Sequence, residues 1–337
     1  MPGLNKKPIG TFPVFAALAG NSFVALIKFA AAFISGSSVL FAEAIHSLAD
    51  TGNQALIAVG LKRSRKLPDE DFVYGYGRER FFWALISACG IFFLGAGVTI
   101  YHGIHSLAFG AGFEISPIVF VVLAVSFVVE SMTLAVAVRE IKIKYPGHKA
   151  RTILDIGDPV TLSVLLEDSV AVLGVAIAFL SIILSKVTGA HYWDGIGSII
   201  IGILLGGVAI ILIIKNRNYL IGRTIPETLQ EKIIEIMESD PAIERVIDFK
   251  STVLDIGIYR VKCEVEFNGN VLIKKIYRKG DLKEEYERVK DDYEEFKKFC
   301  VDFADRVPRL VGKKIDEIEV KLKKENPEVK YIDIEIN

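Results

Sequence analysis

From about Ser38 to Leu61 the chain is apolar for long enough to cross a bilayer, which takes roughly 20 residues, yet the middle of the run reads His46-Ser47-Leu48-Ala49-Asp50. On a helix, at 100° per residue, His46 and Asp50 fall about 40° apart on one face, and Glu43 about 60° to the other side of His46. An ionisable group at bilayer depth is costly unless it faces a polar cavity, a partner or an ion. A single buried His can be satisfied by a backbone carbonyl, and a single Asp by a basic side chain. Joined by further intramembrane acids, the His-x-x-x-Asp stripe favours a metal or proton site. Imidazole with carboxylate suits Zn²⁺, Co²⁺, Fe²⁺ or Mn²⁺.

Composition supports a membrane setting. Hydrophobic residues make up 51% of the 337, and the 24% that are charged are unevenly spread, sparse up to about Ile214 and dense after it. The formal net charge of −1 predicts no nucleic-acid partner. Cys89, Cys263 and Cys300 lack the paired spacing of a disulfide framework or a Cys-type zinc site. No small-residue cleavage site follows a short apolar core, so the first apolar run is expected to be a retained spanning helix.

Six spans are predicted, at about Pro13–Ser35, Ser38–Leu61, Arg80–Tyr101, Ser116–Val138, Pro159–Leu184 and Asp194–Ile214. Lys and Arg alternate between the connections. Lys6 and Lys7 precede the first span. Lys62, Arg63, Arg65, Lys66 and Arg78 lie in the second loop, and Arg139, Lys142, Lys144, Lys149 and Arg151 in the fourth. The third loop, His102 to Ile115, has neither residue, and the fifth has only Lys186. That bias puts both termini on the cytoplasmic side. Residues 1–214 are therefore expected to form a transmembrane domain and 215–337 a soluble one. In the latter, Pro226–Ser239 has helical spacing, Ile243–Leu254 and Gly257–Phe267 read as strands, Leu282 to about Lys324 reads as a charged helix with a break near Pro308, and Val329–Ile336 reads as a strand. This order suggests an α+β layer.

Helix five carries a second acidic pair, Glu167 and Asp168; adjacent residues point about 100° apart, so at most one can look squarely at His46 and Asp50. Glu130 lies near the middle of the fourth run, Asn21 and Lys28 lie at similar depth in the first, and Asn53 extends the His46 face. Acids on three helices leave a negative cavity for a divalent cation or for protons. Lys28 is the obvious counter-charge within a span and could equally snorkel towards an interface. Because metal binding expels protons from His and Asp, one set of residues can couple the two.

The sequence resembles the cation diffusion facilitator family of divalent-metal transporters. Asn21 through Asp50, with Lys28, Ser35-Gly36-Ser37 and Ala44-Ile45-His46-Ser47-Leu48-Ala49-Asp50, is similar to that family's first two helices. Tyr74-Gly75-Tyr76-Gly77-Arg78-Glu79-Arg80 resembles its entry to the third helix. Asp194-Gly195-Ile196-Gly197-Ser198 with Gly202 resembles the start of the sixth, and Leu220-Ile221-Gly222 the join to the cytoplasmic module. The resemblance implies an integral cell-membrane protein, not an enzyme. It implies a homodimer with six transmembrane helices per protomer and cytoplasmic ferredoxin-like α+β domains that pair. It also implies efflux of Zn²⁺, as transported substrate and not cofactor, in exchange for protons by alternating access.

The family's ligand pattern of two positions four apart on helices two and five is matched by His46, Asp50 and Asp168. Val164 occupies the fourth position and Glu167 is the nearest substitute, about 60° round the helix. The family includes a branch with this Leu-Glu-Asp pattern. In the loop before the Tyr-Gly motif, Phe72 and Val73 replace the family's His-Pro, so its loop metal site is expected to be absent, though Asp69 and Asp71 could hold a weak ion. None of the five histidines (His46, His102, His105, His148, His191) lies in the soluble part, which is expected to dimerise without binding metal tightly. His102, His105, His148 and His191 are expected to be incidental surface residues. Two other readings stay open: a membrane-bound metal sensor or assembly protein that holds the ion without moving it, and a transporter of Mn²⁺, Fe²⁺ or Co²⁺.

Overall fold

A computed structural model describes residues 11–109, 117–147, 149, 152–154, 157, 159–276 and 281–337, with side chains from Asn21 onward except at 118, 144, 275, 276 and 281. Lys6, Lys7, His148, Arg151, the side chain of Lys144 and residues 110–116 of the third loop lie outside the described residues. The chain divides into two compact units, Met1–Ile221 and Gly222–Asn337.

The first unit is built from long helices: α1 (Thr11–Ser35), α2 (Ser38–Ser64), α3 (Glu79–Phe109), α4 (Pro117–Lys144), α5 (Pro159–Thr188) and α6 (Tyr192–Ile221). Among the described residues four of them, α3 to α6, are long and apolar enough to cross a membrane, and Asn21–Ser35 of α1 is a shorter apolar helix. α2 has the length, at 27 residues, but Glu43, His46, Asp50, Lys62 and Arg63 dilute its apolar character. The core joins apolar residues of all these helices, among them Ala31, Leu40, Ile91, Leu123, Val175 and Leu205.

α3 differs from its expected span. It winds as a π-helix over Ile91–Val98 and continues through Phe109, so His102 and His105 are helical residues rather than loop residues. The periodic apolar pattern faded at Tyr101, but small residues let the helix run on against α6. A Cβ on Gly103 would lie 2.8 Å from Ile199 Cγ1 and 2.9 Å from the Gly195 carbonyl oxygen, so the two backbones touch there.

The second unit is a small α+β domain: α7 (Glu227–Glu238), β1 (Ile243–Asp255), β2 (Ile258–Phe267), α8 (Gly269–Ile276), α9 (Asp281–Val289), α10 (Tyr293–Glu325) and β3 (Val329–Ile336). Its three-stranded sheet has the order β1-β2-β3, antiparallel then parallel. Strand alternation sends Val261, Cys263 and Val265 into a core closed by Ile233 and Met237 of α7 and Ile318 and Leu322 of α10. The intervening positions carry charge, with Arg260 paired to Asp333 and Lys262 to Glu335. The expected break at Pro308 is not there: α10 runs through it, losing one backbone hydrogen bond, while Val311, Ile318 and Leu322 anchor its later half. The interruption falls before α10, where the Asp292 side chain accepts from the Glu294 and Glu295 amides.

Overpacking a close backbone contact costs about 1–3 kcal/mol. Gly103→Ala is expected to lower the unfolding midpoint in detergent by that order, whereas Gly207→Ala, whose Cβ would meet nothing within 4 Å, leaves it unchanged or raised. Equal midpoints would contradict the α3–α6 contact.

Candidate metal centre

The geometry starts at the turn Ser35-Gly36-Ser37, where Gly36 takes φ +67° and reverses the chain between α1 and α2. The Ser37 hydroxyl accepts from the Leu40 amide, capping α2. It also donates to Asp194 Oδ1, and the amides of Ser38 (2.5 Å) and Val39 (3.4 Å) donate to the same carboxylate. A buried carboxylate from α6 thus sits on the positive end of α2. The motif at the start of the sixth helix is legible in sequence, but this role for Asp194 is not.

Along α2 the inward stripe is Glu43, His46, Asp50 and Asn53. α5 packs on it antiparallel: Glu43 lies against Gly174, and one helical stretch later the Asn53 amide donates to Glu167 Oε2. His46 and Asp50 lie between those two contacts. His46 is 1% exposed, both ring nitrogens lack a hydrogen-bond partner, and Nε2 stands 3.5 Å from Asp50 Oδ2. Buried imidazole nitrogens are normally satisfied, so these two stand out on the stripe. Small residues on both sides, Ala49 of α2 and Gly95 of the α3 π-segment, bring a third helix against the back of this turn.

On α5, Glu167 is buried on the α2-facing stripe and Asp168 is half-buried beside it. Val164 points outward, at 43% exposure. Glu167 is held by the Asn53 side-chain amide and by the Ser163 hydroxyl at 3.1 Å, and Ser87 of α3 in turn donates to Asn53 Oδ1. Asp168 faces Thr133 of α4, whose hydroxyl donates to the Glu130 carbonyl oxygen at 2.9 Å. Among the described residues no three His, Cys, Asp or Glu side chains converge as a ready cage. His46 and Asp50 are brought together; Glu167 and Asp168 stand on α5, Glu167 engaged by the Ser163 hydroxyl and the Asn53 amide. Ser87, Ser163 and Thr133 were not read from sequence, since lone hydroxyls in apolar helices carry no periodic signal.

Lys28 does not reach an interface. It is buried, with Nζ 3.2 Å from Glu43 Oε2 and 2.6 Å from Glu130 Oε1, tying α1, α2 and α4 together. Asn21 adds a second α1–α2 link by donating to Gln54 at 2.8 Å. In the loop after α2, Asp69 accepts from Lys66 and from the Tyr76 hydroxyl, both at 2.7 Å, and from the Phe72 amide at 3.0 Å. The Lys66 and Tyr76 donors hold its carboxyl at about 2, and the hydrogen bond to Asp69, with that to Tyr76, pushes the Lys66 ammonium up. Asp69 therefore closes the loop on itself. His102 stacks on Phe41 with ring centres 4.3 Å apart, His105 is exposed beside Phe109, and His191 lies in the turn before α6.

Residues 14–221 match the family model described as the cation efflux transmembrane domain. Over 330 residues the chain is 38% identical to the proton-coupled zinc antiporter SLC30A9, mitochondrial, of Mus musculus, covering 96% of this chain and 58% of that protein. It is 36% identical over 332 residues to metal tolerance protein C4 of Arabidopsis thaliana, covering 96% and 72%. It is 25% identical over 273 residues to an uncharacterised transporter of Methanocaldococcus jannaschii, covering 79% and 88%. The chain thus spans less than two thirds of the mouse relative's length.

Removing a helix cap costs about 0.5–2 kcal/mol, and leaving buried amides unpaired adds to it. Asp194→Ala is expected to destabilise the membrane unit by about 2 kcal/mol on that reasoning, read as a lower unfolding midpoint; a midpoint equal to the parent's would show that the α2 end needs no carboxylate. The folded value of Asp69 lies below the ordinary 3.9 or so. Its contribution is therefore full above that value and fades as pH falls towards about 2. The midpoint difference between the parent and Asp69→Asn should be present at neutral pH and shrink in acid; a difference that grows in acid would reverse the sign.

Proposed function

The chain belongs to the cation efflux family, the cation diffusion facilitators, whose members are divalent-metal transporters, and from that premise we propose that it exchanges Zn²⁺ for protons across a membrane. The observation that carries this reading is the buried imidazole of His46, with both nitrogens unpartnered and Asp50 3.5 Å away, set between two α2–α5 contacts. His46 and Asp50 supply the α2 ligands. Asp168 and Glu167 supply those of α5, Glu167 standing in for the side chain that Val164 lacks. Mixed nitrogen and oxygen donors suit Zn²⁺.

In the state described, Asn53 and Ser163 hold Glu167, so its release from them is the change that completes the shell. Ligands must shed protons to bind metal, and that links the ion to proton movement in the opposite direction. Opening α2 and α5 to one side and then to the other gives alternating access. Residues 1–214 form the transport domain with six transmembrane helices. Residues 215–337 form a ferredoxin-like cytoplasmic domain that pairs two protomers, and the Lys and Arg bias sets both termini on the cytoplasmic side, most simply of the cell membrane. The antiporter named in the mouse relative supports zinc and protons as the partners.

The test is zinc flux into liposomes carrying a zinc-sensitive dye under an imposed pH gradient. Flux that follows the gradient and is lost in His46→Ala and Asp50→Ala is expected. Loss in Asp168→Ala assigns that residue; survival assigns the α5 ligand to Glu167. Flux of Mn²⁺ or Fe²⁺ without Zn²⁺ would change the substrate, and silence for every metal would leave a metal-holding sensor.

A further inference from the structure

The shell built from His46, Asp50, Glu167 and Asp168 leaves the Lys28–Glu43–Glu130 triad without a part in it. Lys28 is 1% exposed, Glu43 0% and Glu130 15%, and one ammonium nitrogen faces both acids at 3.2 and 2.6 Å. A single Lys–Glu pair would serve as a plain staple between helices. Here a second carboxylate converges on the same point, and two further oxygens, Glu43 Oε1 and Glu130 Oε2, are buried with no hydrogen-bond partner. Buried acceptors are nearly always satisfied, and lone buried carboxylates are costly. Two carboxylates from two helices meet one ammonium, which engages one oxygen of each and leaves the other oxygen of each unused, so the triad holds more acceptor capacity than its single cation takes up. Oxygen-only sets of this kind hold hard divalent ions such as Mg²⁺, Ca²⁺ and Mn²⁺.

We propose that Glu43 of α2 and Glu130 of α4 form a second intramembrane cation site, made of oxygen alone and without His46 or Asp50 among its ligands, and that Lys28 Nζ is its tethered resident cation. Glu43 lies one helical turn before His46. The transport reading provides the setting: by occupying this site Lys28 keeps two acids out of the passing ion's shell. A hard ion then finds two carboxylates fewer, while an ion that accepts imidazole still finds His46. Lys28 becomes a determinant of metal specificity without touching the metal.

The test uses the full chain in detergent micelles, stripped of metal with a chelator, with Mn²⁺ as the probe counted by equilibrium dialysis and electron paramagnetic resonance. Lys28→Met, which keeps the length and removes the charge, is expected to bind one Mn²⁺ per chain more than the parent. Lys28→Arg is expected to bind no extra ion, and the extra ion should disappear when Glu43→Gln or Glu130→Gln is added to Lys28→Met. Should Lys28→Met be unstable when metal-free, Mn²⁺ is expected to raise its unfolding midpoint more than the parent's. No extra Mn²⁺ in Lys28→Met overturns the proposal. So does an extra ion that survives Glu43→Gln, or an unfolded Lys28→Met that Mn²⁺ fails to rescue. The count needs no gradient and no flux, so it decides this inference whether or not zinc moves in the liposomes.

Discussion

The membrane unit depends on how charge is accommodated between helices where no bulk water reaches. Each buried ionic or polar side chain must meet a complement from another helix, and the complements found here decide which helices touch. Lys28 draws α1, α2 and α4 to one point through Glu43 and Glu130. Asn53 joins α2 to α3 through Ser87 and to α5 through Glu167. Asp194 joins α6 to the start of α2. Apolar contacts fill the space among these ties, but apolar surfaces in a membrane discriminate weakly between partners, because lipid is as apolar as leucine. On the α2 stripe His46 departs from this pattern, buried with neither ring nitrogen hydrogen-bonded, and Glu43 keeps one oxygen unpaired as well.

The other ordering device is the closeness of α3 and α6. With no side chain on Gly103 or Gly195, the two backbones meet directly. The π-segment of α3 carries Gly95 and Ala96 to α2 and α6. π-bulges are frequent at functional sites because they re-aim a helix locally. Here the π-segment brings slender residues, Gly95 among them, to the back of the His46–Asp50 turn, beside Ala49.

Much of this was legible in the sequence, for identifiable reasons. Helix bounds follow from long apolar runs, and the strands from alternation such as Tyr259, Val261, Cys263, Val265 and Phe267. His46 and Asp50 share a face because spacing alone dictates it. The misses arise where local pattern gives way to packing. α3 outruns its apolar stretch because Gly103 has a neighbour to lie against. α10 passes Pro308 because its far half is anchored in the core, and it starts at Asp292 because that side chain caps it. The partners of Lys28 were not legible, since Glu130 lies 102 positions away and no periodicity ties the two. Asp168 and Glu167 could not be ranked from sequence either; Glu167 is the more buried, because Ser163 and Asn53 give its carboxylate a place to go.

The clasp of Asp194 on the first amides of α2 has a mechanical side. Apolar ridges resist sliding only gently, whereas a carboxylate chelated by a hydroxyl and two amides loses its grip within a short displacement. The beginning of α2 therefore behaves as a fulcrum whose place is set by α6. With a rise of about 1.5 Å per residue, a tilt of roughly 10° about Ser38 would carry a side chain eight residues on by about 2 Å and one twelve residues on by about 3 Å. Those are the places of His46 and Asp50. A helix held at one end in this way amplifies a small rotation into a change larger than the tolerance of a coordination bond.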